Sequence, residues 1–171
     1  ENYIPEGSAI ILNNTKVVRA RLNFTKSTGA SIEIFLLEPI APADYAQSFG
    51  NHSSVTWKCL VGNLKKWKNE ILELSIPQSN STLYANKLKN LTEGVEIEFT
   101  WNNSDLSFAQ IIELCGNVPI PPYLNRDSDE VDKDRYQTVY AHPEGSVAAP
   151  TAGLHFTNTV FDKLSVKSIK R

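Results

Sequence analysis

The sequence predicts a mainly β chain, of α+β character at its ends: a small antiparallel β-barrel inserted into a truncated α/β domain. Three observations predict it. Short stretches of alternating apolar and polar residues recur every 10 to 20 residues or so as far as Trp101, with no strong helical period between them. The period then changes to a helical one over residues 103–116. A stiff run, Pro119-Ile120-Pro121-Pro122-Tyr123, follows and can be neither a regular helix nor a central strand. Hairpins that must hide their edges close into a barrel or sandwich, and the barrel is the expectation here.

Residues 9–12 form a short apolar run ended by the turn signal Asn13-Asn14-Thr15, and read as a buried strand. Residues 17–24 alternate, with Val18, Ala20, Leu22 and Phe24 on one face and Arg19, Arg21 and Asn23 on the other. The turn Ser27-Thr28-Gly29 joins them to a returning strand at 32–38. Two prolines, Gly50 and Asn51 make 39–54 a loop. Strands are then expected at 55–61, 71–76, 83–88 and 95–101, with a lysine-rich loop at 62–69. In 103–116, Ser104 or Asp105 is the expected cap, Leu106, Ala109, Ile112 and Leu114 the inner face, and Gly116 the stop. Such a helix would cover one mouth of the barrel. Residues 127–134 are acidic and suit a helix start or a solvated loop. A last amphipathic segment begins at Thr157 or Asn158, turning Val160, Phe161 and Leu164 inward and Lys163, Lys167, Lys170 and Arg171 outward. The domain reading is 1–16 and 119–171 for the two sides of the α/β domain and 17–118 for the inserted barrel. The last helix is expected to have nothing covering its apolar face.

Composition sets limits. In 171 residues 41% are apolar, enough for a real core, and the net charge of −2 advertises no global affinity for nucleic acid. No apolar run approaches the ~20 residues of a membrane span, so no membrane partner is expected. The opening ENYIPEG resembles no signal peptide, and the chain lacks methionine altogether; it is expected to be a processed or excised piece. Cys59 and Cys115 are isolated, with apolar neighbours, and read as core groups. With three scattered histidines and these two cysteines no metal site is expected.

Residues 135–157, RYQTVYAHPEGSVAAPTAGLHFT, resist a scaffold reading. Arg135, Tyr136, Gln137, Thr138 and Tyr140 carry polar tips on stiff or planar bodies, and the small residues from Gly145 to Gly153 let another surface approach the backbone. His155 either works as a general acid or base, or is buried by Leu154 and Phe156 and satisfied by a carbonyl. His52 and His142 read as surface residues. The glycines fit neither a P-loop nor a dinucleotide fingerprint. Lys65, Lys66 and Lys68 around Trp67 either meet phosphates, with the indole stacking, or form a solvated basic turn. Arg19 and Arg21 are further phosphate candidates. Residue chemistry alone names no reaction.

RYQTVYA followed by GSVAAPTAGLHFT resembles the signature of the S-adenosylmethionine:tRNA ribosyltransferase-isomerases of queuosine biosynthesis. NNTKVVRARL, TGASIEIFLLE, WKCLVGNLKKWK and NVPIPPYLNR are similar to further family motifs, in the family's order. The resemblance implies transfer and isomerisation of the ribosyl part of S-adenosylmethionine, a substrate rather than a resident cofactor, onto 7-aminomethyl-7-deazaguanine at the wobble position of tRNA. The product is epoxyqueuosine, with adenine and methionine released. It implies a cytoplasmic monomer whose partner is that tRNA, and no metal. His155 and Tyr140 are then the acid/base candidates. Asn14, Thr15, Arg19, Arg135, Tyr136, Gln137, Thr138, Ala149, Pro150, Thr151 and Gly153 are expected to bind substrate, and Arg21, Lys65, Lys66 and Lys68 to meet tRNA phosphates. The family's chain is about twice as long, so the expectation is a folded fragment without activity of its own.

Two rival readings are a non-catalytic nucleic-acid-binding barrel and a secreted glycosylated β-sandwich. The second draws on six Asn-x-Ser/Thr acceptors, starting at Asn13, Asn23, Asn51, Asn80, Asn90 and Asn102. Chance gives about two.

Overall fold

The computed structural model describes residues 3–117, 119, 137–142, 144–146 and 150–170. The acidic run 127–134 and all of the stretch 119–123 but Pro119 lie outside them. The chain divides into two compact units, Val18–Pro119 and the pair of segments Glu1–Val17 and Ile120–Arg171.

The first unit is the expected barrel. Its strands are β2 (Arg21–Thr25), β3 (Ser31–Ala41), β4 (Ser54–Gly62), β5 (Leu72–Ile76), β6 (Ser81–Asn90) and β7 (Val95–Trp101). They form one antiparallel sheet in the order β2-β3-β4-β7-β6-β5. The sheet curls until its edge strands β2 and β5 approach each other, and beside that seam Lys26 pairs with Glu70. Period-2 patterning drives this: Leu22, Phe24, Ile32, Ile34, Leu36, Val55, Trp57 and Cys59 are all buried, while their neighbours in sequence are not. Each such large apolar side chain contributes about 1.5–3 kcal/mol on leaving water.

Several boundaries differ from expectation. Residues 17–24 are not one strand, because a tight turn, Ala20 N–H donating to Val18 O at 2.8 Å, separates β1 (Lys16–Val17) from β2. β3 runs past Pro39 to Ala41, with register shifts on either side of Pro39 where no ladder donor is needed. The expected loop also holds a helical turn, α1 (Tyr45–Phe49), whose first turn is capped by Asp44 accepting from Gln47 N–H. Its Ser48 accepts a hydrogen bond from Trp57 Nε1 at 2.9 Å, which satisfies a buried indole.

The helix after β7 starts later than expected. α2 (Phe108–Cys115) is capped by Ser107, not Ser104 or Asp105, through a reciprocal capping box with Gln110. Its buried residues are Phe108, Ile111 and Ile112; of the expected inner face only Ile112 is buried, and Leu106, Ala109 and Leu114 are half-buried. Phe108 lies against Trp57, Phe99 and Trp101 at ring-centroid distances of 5.7–5.8 Å. Cys59 is buried, Cys115 half-buried, and both are free thiols.

The second unit has its own small core. Residues 9–12 are not a buried strand: only Ala9 bridges, to Lys170, and Ile11 is 98% exposed. β1 pairs in parallel with β8 (Glu144–Ser146). α3 (Asn158–Val166), capped by Thr157 accepting from Val160 N–H, buries Phe161 and Leu164. Ile4, Ile10, Leu12, Tyr140 and Phe156 pack on that face, so the last helix is covered after all.

Candidate functional site

In the second unit, the turn closed by Ala141 N–H donating to Thr138 O at 3.1 Å meets a single 3-10 turn, Thr151–His155. Gly153 is the contact point. It is buried, and a Cβ there would collide with the Tyr140 hydroxyl and reach Thr138 Cγ2 at 2.9 Å. The glycine is needed because two side chains occupy the space that a larger residue would fill. Tyr140 also packs on Phe161, edge to face at 5.5 Å. Thr138 is 6% exposed and its buried Oγ1 has no hydrogen-bond partner among the described residues. Such an orphan is costly in a finished fold, by about 1–3 kcal/mol.

Beside Tyr140 lies a cleft of about 420 Å³, lined by Ile10, Ile11, Leu12, Asn14 and Tyr140. An apolar wall with an amide and a phenol suits a flat heteroaromatic ring. Asn14 also anchors the cleft's edge, its carbonyl accepting from His142 N–H at 2.6 Å. Thr15 is turned away into an Asx turn, donating its hydroxyl to Asn13 Oδ1 at 2.7 Å.

The remaining candidates fall into three groups. Pro150, Thr151 and Gly153 belong to or border the 3-10 turn, and His155, its last residue, is exposed rather than buried by its apolar neighbours. Gln137 is engaged with backbone: its Nε2 donates to Val17 O at 2.7 Å and its Oε1 accepts from Val17 N–H at 2.9 Å, the pairing a neighbouring strand would make. Arg135, Tyr136 and Ala149 lie outside the described residues.

In the barrel unit, the two arginines are committed. Arg19 pairs with Glu113 at 2.8 Å and donates to its carbonyl at 2.7 Å. Arg21 faces Glu33 at 3.5 Å and lies over the Phe35 ring at 5.5 Å. Lys65, Lys66 and Lys68 are exposed, but Trp67 between them is 2% exposed, its Nε1 donating to Glu70 O at 2.8 Å. The indole is therefore not available to stack on a base. Among the described residues no group of three or more His, Cys, Asp and Glu stands together as a metal ion would require, and no helix is long and apolar enough to cross a membrane.

What sequence reasoning missed was the cleft and the Gln137–Val17 contact. The first had a signal, the apolar run ended by Asn13-Asn14, but it pointed to a buried strand. The second had none, since the partners are 120 residues apart.

Comparison with known proteins covers the same ground. Bacterial proteins named S-adenosylmethionine:tRNA ribosyltransferase-isomerase are similar over almost all of the chain. The one from Cytophaga hutchinsonii is 39% identical over 98% of this chain and 45% of its own length. That from Trichlorobacter lovleyi is 37% identical over 94% and 42%, and that from Aquifex aeolicus 33% over 98% and 44%. The chain thus spans a little under half the length of these relatives. No solved structure matches it. The family model described as queuosine biosynthesis protein matches residues 1–171, from the first residue to the last, and the chain belongs to that family.

Proposed function

We propose that this chain is part of a tRNA ribosyltransferase-isomerase that moves the ribosyl group of S-adenosylmethionine onto a 7-aminomethyl-7-deazaguanine base at the tRNA wobble position, giving epoxyqueuosine. The observation that carries the reading is that relatives bearing that activity in their names align with 94–98% of the chain. The local geometry supports it. The reaction needs a flat base held in place, a proton acceptor near the activated C5′–H of the sulfonium, and a proton donor for departing adenine. The cleft beside Tyr140 suits the base. The Thr138 hydroxyl, unpartnered among the described residues, and the exposed His155 imidazole are the groups this reading uses.

In this reading Tyr140, fixed by Phe161 and Gly153, orients the ring, and His155 moves the proton. Gln137, as a strand substitute for Val17, holds the Thr138–Tyr140 turn at its place and does not touch substrate. The 171 residues span 45% of the Cytophaga relative, and alone they are expected to be inactive. Single-turnover ribosyl transfer by a protein of the relatives' length, carrying these residues, tests the roles. His155→Ala should slow the transfer by 10²-fold or so, the usual contribution of a general acid or base. An unchanged rate removes His155 from the chemistry. Adenine release by the 171-residue chain alone would overturn the expected inactivity.

A further inference from the structure

The barrel unit Val18–Pro119 holds nine Lys and Arg side chains, and their distribution is uneven. Five are neutralised by carboxylates: Arg19 by Glu113, Arg21 by Glu33, Lys26 by Glu70, Lys58 by Glu38 and Lys89 by Glu96. Among the described residues the other four, Lys65, Lys66, Lys68 and Lys87, have no carboxylate partner, and all four surround one residue, Trp67.

The turn that carries three of them is built, not loose. Asn63 takes the left-handed conformation, φ 58°, and its side-chain amide donates to Ser31 O at 3.0 Å. Its carbonyl accepts from Lys66 N–H at 2.8 Å, and Leu64 O accepts from Trp67 N–H at 3.0 Å. Trp67 is driven into the core, with its indole N–H on Glu70 O. Two lysines tie the turn from outside: Lys26 Nζ donates to Lys66 O, and Lys87 Nζ donates to Trp67 O at 3.1 Å while lying 5.8 Å from the ring centroid. An ordinary solvated lysine turn needs none of this. A buried tryptophan with exposed ammonium groups on either side is a rigid mount for charge. Because the backbone is already ordered, less entropy is lost when the lysines meet a partner.

We propose that this turn is a docking surface for the phosphate backbone of RNA, with Lys65, Lys66 and Lys68 as the phosphate contacts and Lys87 adding charge while it braces the turn. Three exposed ammonium groups on one small turn complement the negative charge of a phosphate backbone, and burial of Trp67 leaves backbone electrostatics without base stacking. Such a surface binds without reading sequence. The proposal rests on the tRNA reading for the identity of the RNA, but not for the surface itself.

Fluorescence anisotropy of the 171-residue chain with a labelled unmodified tRNA transcript, over a range of salt, tests it. Three phosphate contacts contribute roughly 2–3 units to the slope of log affinity against log salt, so Lys65→Gln/Lys66→Gln/Lys68→Gln should lower that slope by this much and weaken binding on the order of 10²-fold near 0.1 M salt. The paired cations serve as control: Lys58→Gln/Lys89→Gln should change the slope by less than one unit. Lys65→Arg/Lys66→Arg/Lys68→Arg should bind like the parent, and an unchanged tryptophan emission spectrum shows that the turn is folded in every variant. Four results would overturn the proposal. They are no binding of the parent at low salt, an unchanged slope in the triple variant, equal losses in the control pair, and binding to phosphatidylglycerol vesicles as tight as to the tRNA. None of these bears on the ribosyl-transfer reading, which fails separately if a protein of the relatives' length releases no adenine.

Discussion

Replacing Gly153 with alanine is a direct probe of the site, because the backbone there is ordinary and only space is at issue. The added Cβ would overlap the Tyr140 hydroxyl and press on Thr138 Cγ2 at 2.9 Å. Neither neighbour gives way easily. The Tyr140 ring is seated edge-on to Phe161, and Thr138 is buried within a hydrogen-bonded turn. Overpacking of this kind costs about 1–3 kcal/mol. For a unit of this size that lowers the melting midpoint by at least ~4 °C. The assay can isolate the unit, since the protein's three tryptophans, Trp57, Trp67 and Trp101, all lie within Val18–Pro119. Tryptophan fluorescence therefore follows the barrel, and hydrogen exchange at the amides of Phe161 and Leu164 follows the other unit. Gly153→Ala should speed exchange at those amides and leave the fluorescence midpoint where it was. Adding Tyr140→Phe removes the nearest atom and should recover part of the loss. A Gly153→Ala chain as protected as the parent, or a double variant with no recovery, would refute the packing argument.

Three other substitutions follow from the same contacts. Phe108→Ala removes the ring shared by Trp57, Phe99 and Trp101 and should cost the barrel about 3–5 kcal/mol, read from its fluorescence denaturation midpoint. Gln137→Ala strands the Val17 N–H and carbonyl and should cost about 1–3 kcal/mol in the other unit, whereas Gln137→Glu should restore the accepting bond only. Burial pushes the Cys115 thiol up to about 11, so between roughly pH 9 and 11 the folded chain keeps a proton that the unfolded chain loses. Stability from this group is complete below about pH 9 and is lost as pH rises to 11. Cys115→Ser should flatten that part of the stability–pH curve, and a curve of unchanged slope would contradict the burial.

The barrel was legible because burial imposes a period of two on the residues themselves. Val18, Ala20, Leu22 and Phe24 are all buried although they straddle the end of one element and the start of another. For the same reason the break at Val18–Ala20 was invisible, since a tight turn can preserve alternation. α2 was misplaced at its start by a competing polar cluster: Asn103 forms a local turn, accepting from Asp105 N–H, while Ser107 and Gln110 carry the true capping box. α1 is too short for a helical period to emerge, and only Asp44 marked it. At the site, the small residues correctly announced a close approach of backbone to side chain, realised at Gly153. What could not be read was who approaches. Tyr140 and Thr138 meet Gly153, and Gln137 meets Val17, through contacts that span 13 to 120 residues and leave no periodic trace. Trp67 looked like an exposed aromatic among lysines and is instead the anchor that sets them outward.

The assignment to queuosine chemistry is tested most directly by the tRNA itself. A protein of the relatives' length carrying these 171 residues is incubated with S-adenosylmethionine and a tRNA bearing 7-aminomethyl-7-deazaguanine, and the nucleosides are then analysed by mass spectrometry. The account predicts loss of the starting base and appearance of epoxyqueuosine, with one adenine released for each base converted. A tRNA that is bound but returned unchanged, with no adenine formed, would contradict it.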